Sequence, residues 1–133
     1  MVFLDANVPM YLIGSAHPNQ TVAAALLQRM SLDGDRLVTD AEVFQEILHR
    51  YTAIRRLESI QPAFDALSEL VEEVFPIDEE TVRLAQSVVL GYQNVSARDA
   101  IHVAAMKRRG ISRILSFDQG YDTIPGLERL SSL

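Results

Sequence analysis

Short apolar runs recur at Val2–Leu4, Leu37–Thr39, Val74–Ile77 and Ile114–Phe117, each separated from the next by a long stretch of helical periodicity. Antiparallel neighbours can be joined by a tight turn, but parallel strands need a crossover of a dozen or more residues, usually a helix. Long separations throughout therefore predict a parallel sheet with helices on both faces. The expected fold is a three-layer α/β/α sandwich around four or five parallel strands, with a weak run at Leu127–Leu130 as the fifth. No linker, repeat or low-complexity stretch interrupts it, so residues 1–133 read as a single domain.

The connecting segments carry helix signals. A short helix is expected near Val8–Ile13. Asn19 or Thr21 opens a second, with Val22, Leu26, Leu27 and Met30 on one face. A third spans about 41 to 56, and Pro62 suits the first turn of a fourth. Asp78 caps a fifth, which ends at Gly91, and Ser96 opens a sixth that runs to Gly110. Pro76 makes the third apolar run edge-like, because proline cannot donate to a ladder.

The chain has no cysteine, which excludes disulfides and thiolate metal sites. No apolar run is long enough for a membrane span. Asp5 interrupts the N-terminus at once, so no signal peptide is expected, and the expected location is cytoplasmic. The net charge of −6 argues at first sight against a nucleic-acid partner. Distribution matters more than the total, since carboxylates gathered at one cation are neutralised by it. Arginine is the fitting phosphate donor, and Arg50 and Arg98 stand beside the acidic candidates in sequence.

Two of the apolar runs end on an acid, Asp5 after Val2–Leu4 and Asp118 after Ile114–Phe117. Ligand sites of open parallel sheets form beyond the carboxyl ends of the strands. Asp5 also suits a helix cap, but a strand ending in Asp is the more specific pattern. Glu42 and Glu46 compete for a third position. Thr39-Asp40-Ala41-Glu42 has the form of a capping box, which assigns Glu42 to structure. Glu46 lies one turn on among apolar neighbours, with Arg50 at i+4 as its structural partner. Ser96-Ala97-Arg98-Asp99 is another box-like signal, so Asp99 can cap a helix and face the sheet edge together. Asp5, Glu46, Asp99 and Asp118 form the proposed catalytic and metal-binding set. Asn7, Ser116, Asp122 and His102 are accessory candidates, His102 as a supporting partner or base. His17 and His49 lack ligand spacing. Tyr11, Phe117 and Tyr121 are the candidates for stacking on bases.

Four segments in this order resemble a PIN domain: Val2-Phe3-Leu4-Asp5-Ala6-Asn7-Val8, Gln45-Glu46-Ile47-Leu48-His49-Arg50-Tyr51, Ser96-Ala97-Arg98-Asp99-Ala100-Ile101-His102, and Ile114 through Asp122. More narrowly, the chain resembles VapC-type toxins of prokaryotic toxin–antitoxin pairs. The resemblance implies Mg²⁺- or Mn²⁺-dependent endoribonuclease activity, an RNA substrate, a homodimer and a small antitoxin partner. It maps the family's acids onto Asp5, Glu46, Asp99 and Asp118. One departure is Ala6, where the family often carries Thr or Ser, so a hydroxyl that steadies the site is missing.

Two other phosphoryl-transfer families also use a strand-end Asp. Haloacid-dehalogenase-like phosphatases place a second Asp two residues later, where this chain has Asn7. Receiver domains use a Lys at a late strand end, whereas Lys107 falls inside a helix. The remaining alternative to a nuclease is a catalytically weak PIN scaffold that binds RNA or a partner protein.

Overall fold

Val2, Phe3 and Leu4 are completely buried, so the first strand is apolar on both faces, as a strand covered by helices on either side must be. The computed structural model describes residues 1–133. Its strands are β1 (Val2–Leu4), β2 (Leu37–Asp40), β3 (Glu73–Phe75), β4 (Arg113–Leu115) and β5 (Glu128–Leu130). They form one five-stranded sheet in the order β3-β2-β1-β4-β5, with every pair parallel. The weak run near the C-terminus is therefore a strand, and β3 is an edge as Pro76 implied.

Six helices fill the connections: α1 (Asn7–Ile13), α2 (Pro18–Leu32), α3 (Ala41–Ala53), α4 (Ile60–Leu70), α5 (Glu79–Gly91) and α6 (Ala97–Arg108). The chain moves outward from β1 through β2 to β3, then returns to the other side of β1 at β4. Right-handed crossovers in opposite directions place α1–α4 on one face and α5–α6 on the other. The direction reverses between β1 and β4, and this switch point opens a crevice at their carboxyl ends.

Capping explains most helix boundaries. The Asp78 carboxylate accepts from the Thr81 amide at 2.9 Å and the Ser96 hydroxyl from the Asp99 amide at 3.1 Å, both as the sequence implied. Three expectations need correction. α2 begins at Pro18, one residue ahead of Asn19, because the His17 ring accepts the Asn19 amide at 3.0 Å and Pro18 needs no donor. At α3 the cap is Asp40, not Thr39: Asp40 Oδ1 accepts the Val43 amide at 2.9 Å. Thr39 is the last but one residue of β2, where its hydroxyl donates to the Leu4 carbonyl at 2.8 Å. Glu42 thus makes no reciprocal box and pairs with Arg98 at 3.2 Å instead. α3 also stops at Ala53, short of the expected 56, in a turn that places Arg55 at φ 57°.

Candidate metal centre

Asp5 leaves the end of β1 and Ser116 the end of β4, so the two side chains flank the switch point. Asp5 is 3 % exposed. Its Oδ1 accepts the Ala6 amide at 2.9 Å, and its Oδ2 accepts the Ser116 hydroxyl at 2.6 Å. The hydroxyl missing at Ala6 is therefore not missing at the carboxylate, because a neighbouring strand provides one. Ser116 also accepts the Asp118 amide at 3.0 Å and the Asn7 side-chain amide at 3.4 Å. Asn7 in turn accepts the Phe117 amide at 3.4 Å. One hydroxyl and one carboxamide thus knit the loop after β1 to the loop after β4. Burial raises the Asp5 pKa; His102 opposes this, and Glu46 adds to it.

Asp40 ties two helices to this centre. While Oδ1 caps α3, Oδ2 lies 2.8 Å from His102 Nδ1 on α6. His102 is fully buried, and its Nε2 lies 3.4 Å from Glu46 Oε1 and 4.0 Å from Asp5 Oδ1. Burial by itself pushes an imidazole toward neutrality. Here the Asp40 charge and hydrogen bond, followed by Glu46 and Asp5, outweigh burial and hold the pKa well above its ordinary value. His102 thus stands among three carboxylates, with Nδ1 on Asp40 and Nε2 turned toward Glu46 and Asp5.

Asp99 occupies the first turn of α6 and accepts the Tyr121 hydroxyl at 3.0 Å. Its own carboxylate does not return to the Ser96 amide, so the box-like signal is one-sided. Burial, the Asp5 charge and the adjoining Asp118 carboxylate push Asp99 up to about 7, against the lowering effect of Tyr121. Asp118 is exposed at the mouth of the crevice, and its Oδ1 accepts the Gly120 amide at 2.9 Å. Tyr121 is 1 % exposed, so it supports Asp99 from inside and has no face for a base. Tyr11 and Phe117 are half-buried and meet edge to face at 5.3 Å between ring centres.

All four acids expected at the site lie around this crevice, with Asn7, Ser116 and His102. Asp122 does not join them: its carboxylate is held by Arg129 at 2.8 and 2.9 Å. Arg98 is engaged by Glu42, whereas Arg50 has no carboxylate partner, because Glu46 turns to His102. The residue missed in the sequence is Asp40, which was legible only as part of a cap. The one local signal was its place directly ahead of α3, where Asp is a favoured cap.

Asp5, Glu46 and His102 offer ligand atoms that all lie within 4.8 Å of one another. Asp99 lies close enough to feel both Asp5 and Asp118, so the carboxylates of Asp5, Glu46, Asp99 and Asp118 add up to an oxygen-rich donor set. Clustered carboxylates that hold protons against their own repulsion fit a hard divalent ion, which favours all-oxygen ligands.

The PIN domain sequence profile matches residues 2–127. Ribonuclease VapC13 of Mycobacterium tuberculosis is 52% identical over 131 residues, covering 98% of this chain and all of the relative. Among solved structures, VapBC2 from Rickettsia felis, bound to a DNA fragment from its promoter, aligns with a TM-score of 0.74 at 13% identity over 98% of both chains. VapC20 of M. tuberculosis, described as a sarcin-ricin loop cleaving toxin, aligns with a TM-score of 0.69 at 20% identity, covering 92% of this chain and 93% of its own. With its profile match, its full-length relative and its acids gathered at the switch point, the chain belongs to the PIN domain family and, within it, to the VapC group.

Proposed function

We propose that the protein is a divalent-metal-dependent endoribonuclease, the toxin of a VapBC-type pair. The observation that carries this reading is the convergence of Asp5, Glu46, Asp99 and Asp118 on one crevice, with Asp99 held near pH 7. Mg²⁺ or Mn²⁺ bound there would polarise a phosphodiester, activate a water and stabilise the departing oxygen. Asp5, Asp99 and Asp118 would be its ligands, directly or through water. Glu46, steadied by His102, is placed to orient the attacking water and accept its proton. Ser116 and the Ala6 amide keep Asp5 pointed into the crevice, and Tyr121 does the same for Asp99. The ribonuclease name of the relative at 52% identity supports RNA as the substrate, and the VapBC assembly from R. felis supports a small antitoxin partner.

A homodimer is part of the same reading. An exposed apolar strip on α5 and α6, with Val82, Val89 and Leu90 beside Ala97 and Ile101, supports it. No helix is long and apolar enough to cross a membrane, and the cytoplasm is the proposed location.

The test is cleavage of single-stranded and structured RNA with Mg²⁺ or Mn²⁺, set against EDTA, Asp5→Asn and Asp99→Asn. Loss of cleavage in all three is expected. Undiminished cleavage by both variants would remove the proposed site, and a parent that cuts no RNA would favour a binding scaffold.

A further inference from the structure

In this acidic chain almost every guanidinium is already spoken for. Each arginine except Arg50 and Arg55 lies within 4.0 Å of a carboxylate. The two exceptions stand together at the end of α3, the helix that carries Glu46. Arg55 occupies the left-handed position after the helix, at φ 57°, where glycine or asparagine is the usual choice. The surrounding hydrogen bonds, Arg55 amide to Thr52 carbonyl at 3.2 Å and Arg56 amide to Tyr51 carbonyl at 2.8 Å, make this turn a Schellman motif. Keeping a long cation there sacrifices backbone comfort for charge.

Beside Arg50 a cleft of about 260 Å³ lies between α1 and α3, lined by Asn7, Met10, Tyr11, Arg50 and Tyr51. Asn7 is common to the cleft and the acidic centre, since its amide donates to Ser116. The Tyr11 ring is fixed between His17, at 4.8 Å between ring centres, and Phe117. Tyr51 is 6% exposed and lines the cleft, and its hydroxyl is not enclosed and makes no hydrogen bond to another residue. An unpaired cation, a fixed aromatic ring and a free hydroxyl around one opening are the groups that single-stranded nucleic acid requires.

We propose that this cleft holds an unpaired nucleotide next to the phosphodiester at the acidic centre, with Arg50 on its phosphate, Tyr11 against its base and the Tyr51 hydroxyl bonded to its base edge or ribose. The proposal rests on the ribonuclease reading and narrows it. A base can reach Tyr11 only after leaving its stack, so the preferred RNA is single-stranded or looped, not a continuous duplex.

The test measures fluorescence anisotropy of a labelled oligouridylate and of an RNA duplex of the same length, in an Asp99→Asn background that leaves the RNA uncut. Adding Arg50→Ala should weaken oligouridylate binding roughly ten-fold and reduce the salt slope by about 0.7. Tyr11→Leu should weaken it about five-fold or more, and Tyr11→Phe, which keeps the ring, should retain affinity. Arg83→Ala, which breaks an exposed pair on α5, should bind like the background. Unchanged oligouridylate affinity in both Arg50→Ala and Tyr11→Leu would overturn the proposal and leave the cleft to a protein partner. Equal losses on duplex and single strand would overturn it as well. Cleavage by the parent, assayed separately, reports on the function: a cutting parent with unaffected variants loses only the subsite. If the parent cuts nothing, the binding titrations still decide the cleft.

Discussion

Replacing Asp99 with Asn is expected to destroy the proposed activity and yet stabilise the metal-free protein. Asp99 is raised from 3.8 to about 7 by burial, by Asp5 and by Asp118. A carboxyl raised in the fold binds a proton that the unfolded chain has released, so stability is highest below the unfolded value and is lost as pH rises through about 7. At 1.36 kcal/mol per unit the full displacement corresponds to about 4 kcal/mol. The side chain is only partly buried, and solvent screening reduces this to roughly 1–2 kcal/mol. Asparagine removes the charge and still accepts from Tyr121. For a chain of 133 residues, about 3–4 °C of Tm accompanies each kcal/mol, so a gain of roughly 3–7 °C is expected at pH 8. Thermal melts in EDTA from pH 4 to 9 would show this gain growing up to about pH 7 and then levelling. Saturating Mg²⁺ should stabilise the parent alone and close the gap. A variant less stable than the parent at pH 8 in EDTA, or a difference that does not change with pH, would refute the reasoning.

Other outcomes follow from the same geometry. Asp40→Ala removes a helix cap and leaves the buried His102 Nδ1 without its partner, so chemical denaturation should show a loss of about 2–4 kcal/mol, and Asp40→Asn, which still caps, should lose less. Ser116→Ala deletes the 2.6 Å hydrogen bond to Asp5. At about 1.5–3 kcal/mol for a bond to a charged group, calorimetric titration should find Mn²⁺ affinity lower by roughly ten-fold or more. Because the proton on Asp99 competes with the metal, the cleavage rate should fall as pH drops through about 7, and the midpoint should move to lower pH at higher Mg²⁺. Asp122→Asn weakens a two-bond pair with Arg129, whose side chain is 13% exposed, and should lower Tm by a few degrees while leaving cleavage nearly unchanged.

The strands, their parallel pairing and five of the helix starts could be read from local chemistry, because apolar runs, caps and prolines act within a few residues of themselves. Asp5 and Asp118 were legible for the same reason, since each closes a run that has no choice but to enter the sheet. Glu46 needed one comparison, between a glutamate with a capping excuse and one without. The excuse proved wrong in detail: Thr39 was taken by the sheet, Asp40 capped α3, and Glu42 went to Arg98. Glu46 lies partly buried near Val43 and Ile47, an arrangement that depends only on helical spacing.

Partnerships across the sheet could not be read locally. Which carboxylate faces His102, whether Arg50 is paired, and whether Asp122 points at the crevice or at Arg129 depend on helix packing and on loops from distant parts of the chain. Tyr121 shows the same division, since aromatic character is visible in sequence but its complete burial under Asp99 is not. The sequence alone determined a parallel α/β domain with acids at its strand ends, because periodicity and strand termination are properties of neighbouring residues. Only the tertiary structure decided that Asp40 and His102 hold the acids together and that Arg50 is free beside an open cleft, because electrostatic pairing is settled by proximity in space.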